Sequence, residues 1–295
     1  MKKIEIIGAQ VDLGANRRGV NMGPSAIRFA GLSERMEAMG LDIRDRGDLI
    51  PMQGGKTRDN MRWYEAIVDV DKRLFAEVLD SLSEGALPVV LGGDHSIAAG
   101  SVPAASRHYG RIGLIWIDAH ADFNDENSTL TGNVHGMPLS AICGSGPDWL
   151  VDYGEDLRYV DPAKVVLVGG RDFDPPERVR LKEAGVNVFN IRDVDTLGMA
   201  EVMRRAIDIA GSGTEGIYVS FDMDSIAPQD APGVVTPVIG GLTSREVFLA
   251  CEMLAQTGRV IGIDMVEVNP ILDERNKTGE LACSLILALL GEMKY

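Results

Sequence analysis

Acidic and histidine side chains alternate in a short segment that directly follows an apolar run. Asp118, His120 and Asp122 have this spacing, and Asp222 and Asp224 repeat it after a second apolar run. Because side chains of an extended chain point to alternate sides, residues two apart share one side. Carboxylates gathered there would repel each other, and burial would raise their pKa values until most were neutral. A polycation removes this repulsion, so the pattern predicts a metal site.

Histidines complete the predicted ligand set. Two divalent ions would balance four Asp charges, with His95 and His120 as neutral imidazole ligands. Oxygen-rich ligation without thiolate favours a hard or borderline ion such as Mn²⁺. Two ions held close together also lower the pKa of a bridging water. Purely structural roles are the alternative to metal binding. Asp94 or Ser96 would serve as a helix cap, and acidic residues after a strand are common in solvated loops. His108 has no acidic residues close to it in the sequence and is expected at the surface.

Apolar runs alternate with helical periods along the chain. Continuous runs of this length are typical of parallel strands covered on both faces. The fold class is therefore predicted as α/β, a three-layer α/β/α sandwich with a mainly parallel sheet of about eight strands. Helices are predicted at 23–40 and around a stripe of Trp63, Ile67, Val70, Leu74 and Leu82. The predicted strands lie at 4–9, 87–91, 112–117, 164–168, 186–189, 217–221 and 260–266, with a weaker run at 41–44.

Ionisable residues follow five of these strands. In open α/β sheets the ligand crevice lies beyond the carboxyl ends of the strands, so all five sets would converge on one site. No repeat or linker divides the sequence, and residues 1–295 are expected to form a single domain. The ionisable segments are at 94–96, 118–122, 171–174, 222–224 and Glu267.

Composition excludes several classes of protein. The 295 residues carry 44 acidic and 29 basic side chains, a formal net charge of −15, and 45% are hydrophobic. A chain of this kind buries a sizeable core but does not attract nucleic acid or anionic membranes. Three widely spaced cysteines predict neither a disulfide framework nor a thiolate zinc site and fit a reducing cytoplasm. We expect no export signal and no transmembrane helix.

The motifs together resemble the ureohydrolase (arginase/agmatinase) family and, within it, arginases of bacterial type. The resemblance covers nearly the whole chain. It is carried by GPSAIR (23–28), GGDHS (92–96), DAHADFN (118–124), SFDMD (220–224) and EVNP (267–270). Carried over residue by residue, the family's first Mn²⁺ matches His95, Asp118, Asp122 and Asp222, and its second matches His120, Asp118, Asp222 and Asp224.

The resemblance implies a reaction and its catalytic residues. The family hydrolyses a guanidino group to urea and an amine, using a hydroxide that bridges two Mn²⁺ ions. Glu267 matches the glutamate that binds the guanidinium, a cation whose N–H donors suit a carboxylate. Asp122 matches the residue that hydrogen-bonds the hydroxide and passes the proton to the departing amine. His135 resembles a proton shuttle near the entrance, a role that suits a group titrating near neutrality.

Further matches concern the other end of the substrate. Asn124, Thr131 and Asn133 match short polar side chains that hold an α-carboxylate, although by themselves they read as a polar surface loop. Asp174, with Glu177 nearby, matches the acid that reaches an α-amino group. Thr131 stands where serine is frequent, and its methyl would narrow the pocket. A second departure is Ala227, which replaces an acid that many members carry.

The resemblance implies a cytoplasmic enzyme with two Mn²⁺ per chain that converts L-arginine to L-ornithine and urea. It also implies a homo-oligomer, a trimer or hexamer. A sister ureohydrolase acting on agmatine, guanidinobutyrate or another guanidino compound is one alternative. A metal-binding regulatory protein without turnover is another. A dinucleotide-binding enzyme is disfavoured, because no predicted strand is followed by GxGxxG.

Overall fold

A computed structural model describes residues 3–58, 60–155 and 157–293. Its eight strands all pair in parallel and form one sheet. The strands are β1 (Lys3–Ala9), β2 (Asp42–Leu49), β3 (Leu87–Gly92), β4 (Gly113–Ile117), β5 (Val165–Val168), β6 (Asn187–Phe189), β7 (Ile217–Asp222) and β8 (Val260–Val266). Their order across the sheet is β2-β1-β3-β8-β7-β4-β5-β6.

Helices cover both faces of this sheet. They are α1 (Gly23–Phe29), α2 (Leu32–Ala38), α3 (Tyr64–Ser83), α4 (Ala98–Tyr109), α5 (Pro138–Ile142), α6 (Pro175–Ala184), α7 (Ile191–Leu197), α8 (Met199–Gly211), α9 (Ser244–Gln256) and α10 (Lys277–Leu289).

The core is divided into two layers by the sheet. In β4, Ile115 and Ile117 pack in the layer that contains α1, α2, α8, α9 and α10. Leu114 and Trp116 pack in the opposite layer with α3, α4 and α5. This alternation follows from the two-residue side-chain period of a strand. The predicted α/β/α sandwich is confirmed.

All eight predicted strands are present, and β2 extends well beyond the weak run at 41–44. The single helix predicted over 23–40 is wrong, because the chain forms α1 and α2 instead. Gly31 separates them with a φ of 83°, a left-handed conformation that glycine adopts at little cost and that interrupts a helix. The buried stripe of α3 is confirmed for Ile67, Val70, Leu74 and Leu82, whereas Trp63 precedes the helix and is 39% exposed.

The order of the strands decides which loops meet. The strands β3, β8, β7 and β4 are consecutive in the sheet, so the segments that follow them share its carboxyl edge. These segments carry His95, Glu267, Asp222 with Asp224, and Asp118 to Asp122. Within the described ranges, no helix is long and apolar enough to cross a membrane.

Candidate metal centre and substrate cavity

The turn after β3 places His95 at the carboxyl edge of the sheet. A Cβ at Gly93 would lie 1.6 Å from the carbonyl oxygen of Val11, so only glycine fits this close approach. Asp94 caps the short helical turn that follows, since its Oδ1 accepts a hydrogen bond from the Ser96 N–H at 3.1 Å. The capping interpretation therefore holds for Asp94, while the His95 ring turns toward the carboxylates.

The His95 ring faces three carboxylates. Its Nδ1 lies 3.1 Å from Asp118 Oδ2, 3.1 Å from Asp122 Oδ2 and 3.2 Å from Asp222 Oδ2. The His95 side chain is 1% exposed. The four atoms come from the ends of three strands, so the structure brings together all four residues of the first predicted ligand set.

A second group forms beside the first and shares Asp118 with it. His120 Nδ1 lies 3.1 Å from Asp224 Oδ2 and 3.5 Å from Asp118 Oδ1. The two oxygens of Asp118 thus face different groups, as a bridging ligand requires. Asp222 lies with the first group through Oδ2, while its Oδ1 accepts a hydrogen bond from the Asp224 N–H at 2.7 Å.

The atom spacing fits a metal ion better than a hydrogen-bond network. The His95 Nδ1 atom is buried and has no hydrogen-bond partner among the described residues, although three carboxylate oxygens lie nearby. Ligand bonds of about 2.0–2.2 Å at right angles separate neighbouring ligand atoms by about 2.8–3.1 Å. The donor set of imidazole and carboxylate, without sulfur, suits a hard or borderline divalent cation.

The pKa shifts of the acidic cluster also support a cation site. Burial raises the pKa of Asp222 well above its ordinary value, and the charges of Asp224 and Asp118 raise it further. Burial opposes a charged His95 imidazole, but its interactions with Asp118, Asp122 and Asp222 raise the His95 pKa well above 6.5. Protons therefore compensate the acidic cluster when no cation does, and metal binding would release them.

His135 and Glu267 form a pair behind the first group. His135 Nδ1 lies 3.0 Å from Glu267 Oε1, which also accepts a hydrogen bond from the His95 N–H at 3.0 Å. The other oxygen, Oε2, is buried and has no hydrogen-bond partner among the described residues. Burial opposes a charged His135, but the hydrogen bond to Glu267 raises the His135 pKa to about 9.

A cavity opens above the two groups. Its described lining includes the predicted substrate residues together with His135 and three ligand carboxylates, whereas Glu267 is fully buried and does not line it. The cavity therefore joins the candidate metal centre to solvent. Its lining residues are His120, Asp122, Asn124, Thr129, Thr131, Asn133, His135, Gly136, Asp172, Asp174, Glu177, Asp222, Asp224 and Thr236.

One wall of the cavity is built from α6 and the loop after Asp122. Asp174 and Glu177 form a capping box at the start of α6. Glu177 Oε1 also accepts hydrogen bonds from the Phe123 N–H at 2.8 Å and the Asn124 side chain at 3.3 Å. The Asn124 amide donates to Asp174 Oδ2 at 3.1 Å. Glu177 thus holds two loops together. The sequence predicted only that Glu177 lies near the substrate and did not predict this structural role.

The opposite rim belongs to the loop that carries Thr131 and Asn133. Thr131 is exposed, and its Oγ1 accepts a hydrogen bond from the Asn133 N–H at 3.1 Å. Ala227 is buried in the turn after β7, at 1% exposure. Any loop contact that an acid at this position would make is therefore absent.

Sequence reasoning missed several side chains around the ligands. Trp116 stacks on His95 with ring centroids 3.9 Å apart, and its Nε1 donates to Asp118 Oδ2 at 2.9 Å. Thr236 Oγ1 donates to Asp224 Oδ2 at 2.8 Å. The exposed Asp172, which lies in the predicted ionisable segment 171–174 but was given no role of its own, places Oδ2 at 4.0 Å from His120 Nε2. The buried Ser220 and Asp264 lie behind His95. A polar residue within an otherwise apolar strand, as at these two positions, is a sequence pattern that could have indicated them.

Two site residues adopt left-handed backbone conformations. Asp122 has a φ of 50° and Glu267 a φ of 65°. Aspartate tolerates this region, whereas it is uncommon for glutamate. Such strain concentrates at functional sites, where the surrounding structure holds it in place.

Comparison with known proteins identifies the family. The Arginase family model matches residues 2–291. An arginase from Bacillus caldovelox is 46% identical, with 99% of each chain covered, and an arginase from Brevibacillus brevis is 43% identical, with 99% of this chain and 98% of that one covered. The crystal structure of an arginase from Bacillus cereus superposes with a TM-score of 0.94 at 43% identity, with 99% of each chain covered. The chain belongs to the arginase family.

Proposed function

We propose that this protein hydrolyses L-arginine to L-ornithine and urea with two Mn²⁺ ions bound per chain. The observation that carries the proposal is the shared carboxylate of Asp118, which faces both ligand groups at the base of an open polar cavity. The arginase family is metal-dependent. Imidazole and carboxylate ligands in this proportion suit Mn²⁺.

The metal ligands proposed are His95, Asp118, Asp122, His120, Asp222 and Asp224. When bound, two divalent cations supply Lewis acidity that makes a nucleophilic water available at neutral pH. Asp122 lines the cavity and points Oδ2 toward His95. Its carboxylate is placed to hold a proton of the attacking water and to pass it to the departing amine.

Glu267 is proposed to bind the guanidinium end of the substrate. A carboxylate only accepts hydrogen bonds, and a guanidinium only donates them. Glu267 Oε2 is a buried acceptor without a partner in the described chain. Because His135 lines the cavity and contacts Oε1, it lies between Glu267 and solvent. That position suits the proposed role of His135 in proton transfer between the site and solvent.

The other end of the substrate would contact the cavity rim. Thr131 and Asn133 offer neutral donors for an α-carboxylate, and Asp174 offers an acceptor for the α-ammonium group. Asn124 stays a predicted contact of the α-carboxylate, although its amide group already donates to Asp174 and Glu177. The carboxylate of Glu177 already makes hydrogen bonds to both flanking loops. Glu177 thereby positions Asn124 and Asp174. A direct contact between Glu177 and the ammonium group stays a prediction.

Urea release from matched guanidino compounds tests the proposal. Agmatine is arginine without its carboxylate, and 5-guanidinopentanoate is arginine without its α-amino group. With Mn²⁺-loaded protein, we expect the highest kcat/KM for arginine and a loss of about tenfold or more for each deletion, because each leaves polar groups without partners. A preference for agmatine or guanidinobutyrate would instead support a sister ureohydrolase. Mn²⁺-loaded protein that is inactive on every compound would support the regulatory alternative.

Three further proposals follow the family resemblance. We propose that residues 1–295 form one domain, that the protein is cytoplasmic, and that it assembles as a homo-trimer or homo-hexamer. Phe29 and Ile239 are 85% and 87% exposed, and large exposed apolar side chains of this kind suit burial between subunits. Light scattering coupled to gel filtration would measure the mass of the assembly.

A further inference from the structure

A chain of buried hydroxyl and carboxyl groups lies behind His95, on the side away from the carboxylate cluster. His95 Nε2 lies 2.9 Å from Ser220 Oγ, and Ser220 Oγ lies 3.3 Å from Asp264 Oδ2. Ser220 and Asp264 are neighbours across the β7–β8 pairing. Neither is exposed to solvent.

Asp264 accepts hydrogen bonds from two more hydroxyl groups. Tyr218 OH donates to its Oδ1 at 2.7 Å, and Ser101 Oγ donates to its Oδ2 at 2.8 Å. In the described chain, the hydrogen-bond partners of this carboxylate are thus three hydroxyls. A buried carboxylate without a cationic partner is costly. Its presence inside the otherwise apolar run of β8 needs an explanation beyond packing.

The direction of the hydrogen bonds in this chain is fixed by the donor count. An ionised carboxylate accepts but cannot donate, and a hydroxyl has one proton to give. Ser220 therefore donates its proton to Asp264, and its lone pairs face His95. His95 must then donate from Nε2, so the neutral imidazole that binds a cation carries its lone pair on Nδ1, on the side of the three carboxylates.

We propose that Asp264 is a positioning residue that holds His95 in its metal-binding tautomer. It acts through Ser220 and touches neither the substrate nor the cation. Groups that fix the tautomer of a metal-ligating histidine typically contribute 10–100-fold to metal affinity. The inference rests on the proposed function, since it requires a cation at His95.

The variant Asp264→Asn tests this role with little change of shape. Its amide would donate to Ser220, which would free the Ser220 proton to donate to His95 Nε2 and favour the tautomer that cannot ligate through Nδ1. We expect one of the two ions to bind roughly 10–100-fold more weakly. The other ion should stay close to wild-type affinity. Manganese per chain, measured by mass spectrometry after equilibration against graded chelator, gives both affinities without an activity assay.

Two control variants separate positioning from general support of the core. Tyr218→Phe and Ser101→Ala each remove one hydrogen bond to Asp264 but keep the carboxylate and its contact with Ser220. Both should retain two ions at near wild-type affinity. Equal metal loss in these controls and in Asp264→Asn would contradict the inference, because any damage to the buried cluster would then suffice.

A variant at Ser220 covers the case in which Asp264→Asn does not fold. Ser220→Ala removes the acceptor for His95 Nε2 and should weaken the same ion. Two tightly bound ions in folded Ser220→Ala, or in folded Asp264→Asn, would overturn the inference. Wild-type protein that binds fewer than two ions per chain would instead contradict the proposed function, so the two failures are distinguishable.

Discussion

The base of the site and the rim of its cavity are built in different ways. At the base, His95, Asp118 and Asp224 are fully buried and follow directly from strands at the centre of the sheet. At the rim, Thr131 is exposed and Asp172 has a side chain that is 65% exposed. The base is positioned by the strands, and the rim is positioned by loops.

This difference separates two kinds of function within one site. The strands hold the Nδ1 atoms of His95 and His120 within 3.1–3.5 Å of their carboxylate neighbours. Trp116 and Thr236 support these carboxylates through hydrogen bonds to Asp118 and Asp224. The rim residues largely hydrogen-bond to each other, as Asn124 does with Asp174. With the proposed function, variation at the rim would change which substrate fits, whereas variation at the base would remove the chemistry.

The largest effect is expected at Asp118, because both ligand groups share it. Asp118→Asn should weaken both ions and lower urea release by about 10³-fold or more, since metal catalysis supplies several kcal/mol of barrier reduction. Metal content and kcat/KM are the measurements. Asp174→Asn, at the rim, is the matched control and should retain both ions. If Asp118→Asn retained both ions fully, the base would not differ from the rim in metal binding, and the comparison would be wrong.

His135 lies at the boundary between the two regions and should separate metal binding from proton transfer. His135→Asn is expected to lower kcat by about 10²–10⁴-fold, the range for a general acid–base residue, while both ions stay bound. Steady-state kinetics with parallel metal analysis test this. Loss of an ion would show that His135 belongs to the base as a ligand.

A smaller and more selective effect is expected at the rim. Asn133→Ala should lower kcat/KM for arginine roughly tenfold, the order expected for one hydrogen bond to a charged group. The value for agmatine should hardly change, because agmatine has no carboxylate for Asn133 to bind. Asn127→Ala alters the same loop outside the described lining of the cavity and is the control. An equal loss on both substrates would assign Asn133 to loop stability.

The smallest effect concerns stability and comes from Glu177. Burial raises the pKa of this carboxyl to about 8 from its ordinary 4.5. Between these pH values the folded chain binds more protons than the unfolded chain, so the free energy of unfolding falls as pH rises from about 4.5 toward 8. Glu177→Gln should remove the part of this fall that Glu177 causes, which is at most about 1.4 kcal/mol per pH unit. Denaturant unfolding of metal-free protein at pH 5 and 8 measures it, and identical slopes would contradict a proton on Glu177.

Features that depend on neighbouring residues were predictable from the sequence. The alternation in Asp118, His120 and Asp122 requires only an extended chain, and its place after a strand follows from the apolar run before it. The same reasoning predicted that the ends of five strands converge. The split between α1 and α2 was also readable in principle, because Gly31 lies inside the predicted helix and glycine is a poor helix former.

Features that depend on pairs far apart in the chain were not predictable. His135 and Glu267 are 132 positions apart, and Ser220 and Asp264 are 44 apart. Their contacts depend on strand order and register, which local patterns do not encode. For Glu177 the sequence predicted a place near the substrate, while its capping of α6 required the geometry of the loop.

The stacking of Trp116 on His95 also gives the protein an internal optical reporter. Of the three tryptophans, Trp63 and Trp149 lie in peripheral segments, while the Trp116 indole donates its N–H to Asp118. A cation arriving at Asp118 changes the electric field at that indole, and a paramagnetic cation there quenches its emission. With the other two tryptophans replaced by phenylalanine, fluorescence would follow ion binding in real time without an added dye.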